Sequence, residues 1–318
     1  MTQTQRILVS GATGTVGRQV VAELLARGHA VRALTRDAAR ADLPAGVEVI
    51  QGDLTEPASL APALEGVTGL HLITFGGACF APLETGPRIL ELARTAGVRR
   101  VTVLHGGGPS LLEDAVRAND DVDWTGLMPV EFMANCLEWA DGIVASDEVR
   151  EPFVSRLSAM VHEGDIGAVA AVALTEEGRG GQEYVITGPE LLTVGDKVAT
   201  IAAARGREIA LVELSEEQAV AQWRVAGHPE DVIGFLIEAY GMGASRNPRP
   251  ARCRCAPGRR RGHRPGPPSR DPAPASGARP PSRARATAGR CGAHAPSTTS
   301  RSAPRRRGSV QPVSDHRS

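Results

Sequence analysis

Residues 7–17 read ILVSGATGTVG: an apolar run, then Gly11-Ala12-Thr13-Gly14-Thr15-Val16-Gly17. The run at 6–10 predicts a buried strand, and the amphipathic stretch 14–27 predicts a helix. Three glycines between a strand and a helix let the backbone turn sharply and approach a pyrophosphate closely. The helix start then offers that anion free N–H groups and the positive end of its dipole. The spacing is G-x-x-G-x-x-G, one residue longer than G-x-G-x-x-G. Its place, between a first strand and a first helix in a βαβ unit, is what makes it specific. The expected dinucleotide contacts in this loop are Gly11, Thr13, Gly14, Thr15, Val16 and Gly17.

Outward from this loop, further strands are predicted at 30–35, 47–51, 69–74, 100–104 and 124–128. Helices are predicted between them at 57–64, 83–96, 110–118 and 132–143. Such alternation predicts an α/β fold, a doubly wound parallel Rossmann sheet over residues 1–150. From about residue 150 the rhythm changes. Helices are expected at 166–174, 194–205, 215–226 and 229–239, and strands at 182–187 and 209–214. These predict a small C-terminal α/β substrate lobe, 151–245, on the C-terminal side of the sheet, where open α/β folds bind ligands.

The end of the second predicted strand bears on which dinucleotide is bound. An NAD-specific site places Asp or Glu there to bind the ribose hydroxyls; this chain has Arg36. A guanidinium suits the 2′-phosphate of NADP(H), so NADP(H) is expected over NAD(H). Arg32, on the same strand, is a second candidate for that phosphate. Asp53 and Leu54, after the third strand, are placed to meet the adenine. Thr74, Phe75 and Gly76 end the fourth strand, where the ribose and nicotinamide should pass.

The charge balance of the chain is zero only in sum. Residues 246–318 hold 18 arginines against two acids, Asp271 and Asp315, so body and tail carry opposite net charges of about 16. The tail also holds 13 of the 23 prolines and almost no aliphatic or aromatic residue. It is expected to be disordered, since it cannot bury enough apolar surface to offset its ordering entropy. Three readings of it compete: a nucleic-acid arm built on Arg259–Arg261 and Arg305–Arg307, a metal site at Cys253, Cys255 and His263, and a frame-shifted, non-native sequence. The last is favoured, because one lysine in the whole chain marks a GC-rich coding sequence. Nucleic acid is therefore not expected as a partner, and no metal site is expected. Two body cysteines, Cys79 and Cys136, make no disulfide framework, and no apolar run reaches the length of a membrane helix. With the first strand predicted from Arg6, no signal peptide is expected. A cytoplasmic location without membrane attachment is expected.

Four blocks carry a family resemblance: ILVSGATGTVGRQVVAELLARGHAVRALTR (7–36), GDL (52–54), DVDWTGLMPVEFMAN (121–135), and HEGDIGAVAAVAL (162–174) with EYVITGPELLTVGDKVATIA (183–202). Over about residues 6–240 the chain resembles the NmrA-like atypical short-chain dehydrogenases/reductases. That resemblance implies an NADP(H)-binding Rossmann fold with a small C-terminal substrate lobe. It also implies that Glu131, Phe132 and Asn135 face the nicotinamide and substrate, Phe132 against an aromatic ring and Glu131 or Asn135 on its hydroxyls. The group's relatives include quinone reductases, polyketide-tailoring proteins and redox-sensing regulators.

The departures from the family bear on mechanism. The Tyr-x-x-x-Lys pair is absent, since four residues after Tyr184 and Tyr240 stand Gly188 and Ala244. The fifth strand ends in His105-Gly106-Gly107-Gly108 where relatives place a hydroxyl, so His105 is the expected proton donor. The HGGG string also occurs in hydrolase oxyanion loops, but no G-x-S-x-G elbow accompanies it. The leading expectation is an NADPH-dependent oxidoreductase acting on a quinone or a polycyclic, polyketide-type aromatic, with a tailoring role in which oxygen then adds as a related form. The alternative is a non-catalytic NADP(H) sensor that binds a partner protein.

Overall fold

The computed structural model describes residues 4–76, 81–106 and 110–241. Strand β1 (Arg6–Val9) leads to helix α1 (Thr15–Ala26), then β2 (Ala30–Thr35), β3 (Glu48–Gln51), α2 (Ala61–Leu64) and β4 (Gly69–Ile73). The short strands β5 (Phe75–Gly76) and β6 (Ala81–Pro82) follow, then α3 (Gly86–Thr95), β7 (Arg100–Leu104), α4 (Leu111–Arg117) and β8 (Asp123–Pro129). A 3-10 helix, Met133–Trp139, runs into α5 (Ala140–Ser146) and β9 (Glu148–Pro152). Last come α6 (Glu163–Thr175), β10 (Gln182–Ile186), α7 (Val194–Arg205), β11 (Ala210–Leu214), α8 (Glu216–Val225) and α9 (Glu230–Gly241). The expected tail lies outside the described residues.

Seven strands form one sheet in the order β10-β8-β7-β4-β1-β2-β3, every pairing parallel. The expected Rossmann sheet is therefore the observed one. The order reverses between β1 and β4, and the crevice at their C-terminal ends is where such sheets take ligands. Side chains alternate between two cores. Leu8, Leu70, Leu72, Val101 and Val103 face a cluster with residues of α2, α3 and α4. Ile7, Val9, Val31 and Leu104 face a cluster with Val16, Val20 and Leu24 of α1 and Ile166, Ala170 and Leu174 of α6. Gly167 lets α1 and α6 meet: a Cβ there would lie 2.8 Å from the backbone of Gln19.

Residues 151–241 do not lie apart from this body. α6 covers one face of the sheet, and β10 is its edge strand. What stands aside is a two-stranded parallel sheet, β9 with β11, around a small core of Trp139, Ile143, Val149, Val194 and Val198. Strand β9 is not predicted from the sequence, because Glu148-Val149-Arg150-Glu151-Pro152 has one apolar residue and ends in proline.

His71 on β4 is fully buried, with Nδ1 2.8 Å from Thr102 Oγ1. Burial pushes its pKa from 6.5 down to about 4, so the folded state holds the ring neutral. Between those values the unfolded chain binds a proton that the fold refuses, so stability is present above about pH 6.5 and is lost as pH falls toward 4. The loss by pH 5 is about 2 kcal/mol, or about 4–8 °C in thermal midpoint. Melting wild type and His71→Leu at pH 7 and pH 5 checks this. The acid-induced drop should shrink by about that amount in the variant, and an equal drop in both would assign it to other groups.

Candidate active site

The glycine loop rises from the end of β1 into the crevice. Gly11 has φ +60°, and Gly14 N–H donates to its carbonyl at 2.9 Å, closing a tight turn. Gly17 seats the helix on that turn: a Cβ there would lie 2.0 Å from Gly11 O and 2.9 Å from Ala12 Cα. Gly14 caps α1 without a side-chain bond, and the first turn holds no acid. The helix start thus keeps its N–H groups and positive potential for an anion. Thr13, Gly14 and Thr15 are exposed around it, while Val16 is buried in the core. This cradle fits a dinucleotide pyrophosphate by its shape as well as its sequence.

The second strand ends at Thr35, and Arg36 follows it on the surface. Asp37 beside it accepts from the N–H groups of Ala39 and Arg40, turning the chain into a short 3-10 helix. Arg32 is excluded from phosphate recognition. Its buried guanidinium donates to the carbonyls of Pro62, Ala63 and Glu65, at 2.8–3.2 Å, and pairs with Glu48 at 3.0 Å. It serves the carbonyl end of α2, where a cation is favourable. After β3, Asp53 accepts from Thr55 N–H at 2.8 Å and Thr55 Oγ1 at 2.9 Å. Leu54 is a core residue whose carbonyl accepts from Thr85 at 2.6 Å.

At the end of β4, buried Thr74 Oγ1 accepts from Gly106 N–H at 2.7 Å, which ties the β4 and β7 ends together. The Phe75 ring lies on Gly106, where a Cβ would come within 2.6 Å of it. Gly76 pairs with Ala81 across the small β5–β6 ribbon. Gly107 and Gly108 of the HGGG string lie outside the described residues.

His105 is turned inward, 15% exposed, on the α4 side of the sheet. Its Nδ1 lies 2.9 Å from Glu113 Oε1, outside hydrogen-bond geometry, and its Nε2 lies over Gly126 of β8. Burial lowers its pKa, outweighing the pull of Glu113 and Glu183, and the Arg117 cation lowers it further. The imidazole is therefore neutral near pH 7, which weakens the proton-donor expectation. Glu113 is not singled out by the sequence. Its backbone N–H is capped by Ser110 Oγ at 3.3 Å, and its side chain goes to the histidine.

The segment after β8 divides its expected roles. Glu131 is not an open ligand: its carboxylate accepts from Lys197 Nζ at 2.7 Å and from Ser158 Oγ, and lies 3.5 Å from Arg156. Burial works against its charge, but Lys197, Ser158 and Arg156 hold its pKa below the ordinary value. Phe132 packs partly buried against the α1–α6 core, and Asn135 is half-buried with its backbone N–H on Phe132 O. Sequence reading misses Glu163, whose Oε1 accepts from Ala134 N–H at 2.7 Å and pins this segment to α6. Among the described residues no group of three or more His, Cys, Asp or Glu is placed to hold a metal, and no helix is long and apolar enough to cross a membrane.

A family profile described as NAD(P)H-binding matches residues 11–121. Over 251 residues the chain is 34% identical to an NAD(P)H azoreductase of Xenophilus azovorans, covering 74% of this chain and 86% of that protein. It is 34% identical over 247 residues to (4-alkanoyl-5-oxo-2,5-dihydrofuran-3-yl)methyl phosphate reductase of Streptomyces griseus, covering 73% and 86%. The solved structure of Escherichia coli NADPH-dependent quinone oxidoreductase QOR2 complexed with NADPH shares the fold, with a TM-score of 0.62 at 24% identity, over 74% of this chain and 87% of that one. The chain belongs to the NAD(P)-binding atypical short-chain dehydrogenase/reductase family and is an NAD(P)H-dependent oxidoreductase.

Proposed function

We propose that this oxidoreductase uses NADPH to reduce a quinone or a related polycyclic, polyketide-type aromatic, by hydride addition without a dedicated strong proton donor. One observation carries the reading: none of the groups that could form the usual proton-donating pair is available for it. Lys197, the chain's one lysine, is buried on Glu131 and Ser158. Tyr240 lies under the Arg156 guanidinium, and its burial pushes its pKa up to about 12. Tyr184 packs against the core beneath α1 and α6, and His105 is held neutral. Reduction of a simple ketone benefits from a donor to the developing alkoxide. A quinone spreads that charge over its conjugated ring, so the demand on the protein is smaller. The relatives' names support this choice. An azo compound, a quinone and an alkanoyl-substituted oxo-dihydrofuran each offer a conjugated, electron-poor double bond.

In this reading the reduced nicotinamide, when bound, supplies the hydride. The glycine loop and the α1 start hold the pyrophosphate, Arg36 the 2′-phosphate and Asp53 the adenine side. Thr74, Phe75 and Gly76 line the path toward the nicotinamide. Phe132 and Asn135 receive the aromatic substrate.

Loss of NADPH absorbance against a panel of naphthoquinones and anthraquinones, with and without oxygen, tests the substrate class. Turnover without oxygen is expected, and inactivity across the panel would overturn it. Arg36→Ala should weaken NADPH by roughly 10- to 150-fold, the worth of a hydrogen bond to a charged group, and leave NADH nearly unchanged. Titration calorimetry with both cofactors reads this directly, and equal wild-type affinity for the two would remove Arg36 from the role. His105→Gln should reduce kcat by less than about tenfold, against the ~10²-fold or more expected when a general acid is lost. A larger loss would restore His105 as the proton donor.

A further inference from the structure

The segment 130–135 leaves β8 as irregular chain and 3-10 helix, and it must hold Phe132 and Asn135 in one place. We propose that Lys197, acting through Glu131, is a positioning residue that fixes this segment and so sets substrate affinity. The inference rests on the reading that the segment meets the substrate.

The contacts converge on one point. Lys197 is 1% exposed and Glu131 10%, and the ammonium donates to Glu131 Oε2 at 2.7 Å and to Ser158 Oγ at 2.8 Å. Ser158 in turn donates to the same carboxylate. Its backbone exchanges two hydrogen bonds with Leu192, at 3.0 and 2.9 Å, just before α7 begins. The chain from Ser158 to Val161 is thus a splint. At its far end Val161 N–H donates to Glu131 O at 2.8 Å, and Met133 N–H donates to Val161 O at 3.0 Å. Arg156 closes the other side, 3.5 Å from Glu131 and 3.7 Å from Glu151, with its guanidinium 4.0 Å over the Tyr240 ring.

A buried ion pair is a poor device for stability alone, since a packed apolar pair often serves as well or better. Helix α7 does not depend on this charge for its seat, because Val194 and Val198 already pack on Trp139, Ile143 and Val149. What the charges add is direction. A carboxylate bonded to one ammonium and one hydroxyl holds residue 131 in a single orientation, and residue 132 with it.

The test compares wild type, Lys197→Met and the double variant Glu131→Leu with Lys197→Met, each loaded with NADPH. The single variant strands a buried carboxylate and should lose thermal stability. The double variant removes both charges and should melt near wild type with unchanged NADPH affinity. In it, hydrogen exchange at Met133 and Ala134 should accelerate while β8 amides stay protected. The KM for a 1,4-naphthoquinone should rise about tenfold with kcat changed less than about threefold. Where the double variant does not fold, Ser158→Ala gives the same readouts without stranding a charge to the same degree. Unchanged exchange at Met133 and Ala134, or a wild-type KM, in a folded variant overturns the proposal. The exchange readout needs no substrate, so it stands even if naphthoquinones are not reduced. Absent wild-type turnover, or a KM untouched by Phe132→Ala, would instead sink the substrate reading beneath it.

Discussion

The approach of Gly17 to the carbonyl of Gly11 leaves no room for a side-chain atom: a Cβ would stand 2.0 Å from the oxygen. Helix α1 can start only where that contact allows. Its start fixes its register, which lays Val16, Val20, Val21 and Leu24 on the sheet. The same register brings Gln19 against Gly167 of α6, where a second missing Cβ permits contact at backbone distance. Helix α6 then presents Glu163 at its first position, and that carboxylate holds Ala134 N–H. A continuous set of close contacts therefore joins the glycine loop to the segment proposed to meet the substrate.

Buried charge is used sparingly and for defined ends. Arg32 satisfies three carbonyls at the end of α2 while pairing with Glu48. Around Glu131 two cations and a second acid, Glu151, meet in a small space, and Trp139 Nε1 donates to Glu151 at 2.6 Å. Desolvation leaves its mark where compensation is incomplete. Glu151 is pushed above the ordinary carboxylate range by burial, whereas Glu131, with Lys197 bonded directly, is drawn below it. Partial pairing and full pairing of the same functional group are thus visible side by side.

Much of the fold was legible because short-range patterns determine it. Apolar runs bounded by turns gave the strands of the main sheet, and β2, β7 and α7 begin and end where their patterns do. Strand β9 escaped because its definition lies in its partner: Glu148 to Pro152 becomes a strand only by pairing with Ala210 to Leu214. The candidate site divides in the same way. The glycine loop is local, and its turn and the helix start after it were readable from the residues themselves. The fates of Arg32, His105 and Glu131 depend on partners brought by the fold, namely the carbonyls at the end of α2, Glu113 of α4 and Lys197 of α7. Residue type and strand position specify which face a side chain takes, not which group waits there. A lone lysine between Val194 and Val198 was the one available hint of a buried ionic partner.

The strand order bears also on how the chain is made. Strand β8 pairs with β7 on one side and on the other with β10, which is the last strand of the sheet in sequence. A growing chain that has emerged only past residue 129 therefore carries β8 as an open edge, with N–H and C=O groups ready to join any other strand. That exposure persists while α5, β9 and α6 are synthesised, a span in which parallel pairing is slow and association between chains competes. When β10 arrives it closes the gap and becomes the new edge, with Gln182 and Glu183 exposed along it. Polar and charged residues on an outer strand discourage further addition. The same five residues complete the sheet and limit its growth, so a break in the chain before them would first be felt as loss of solubility.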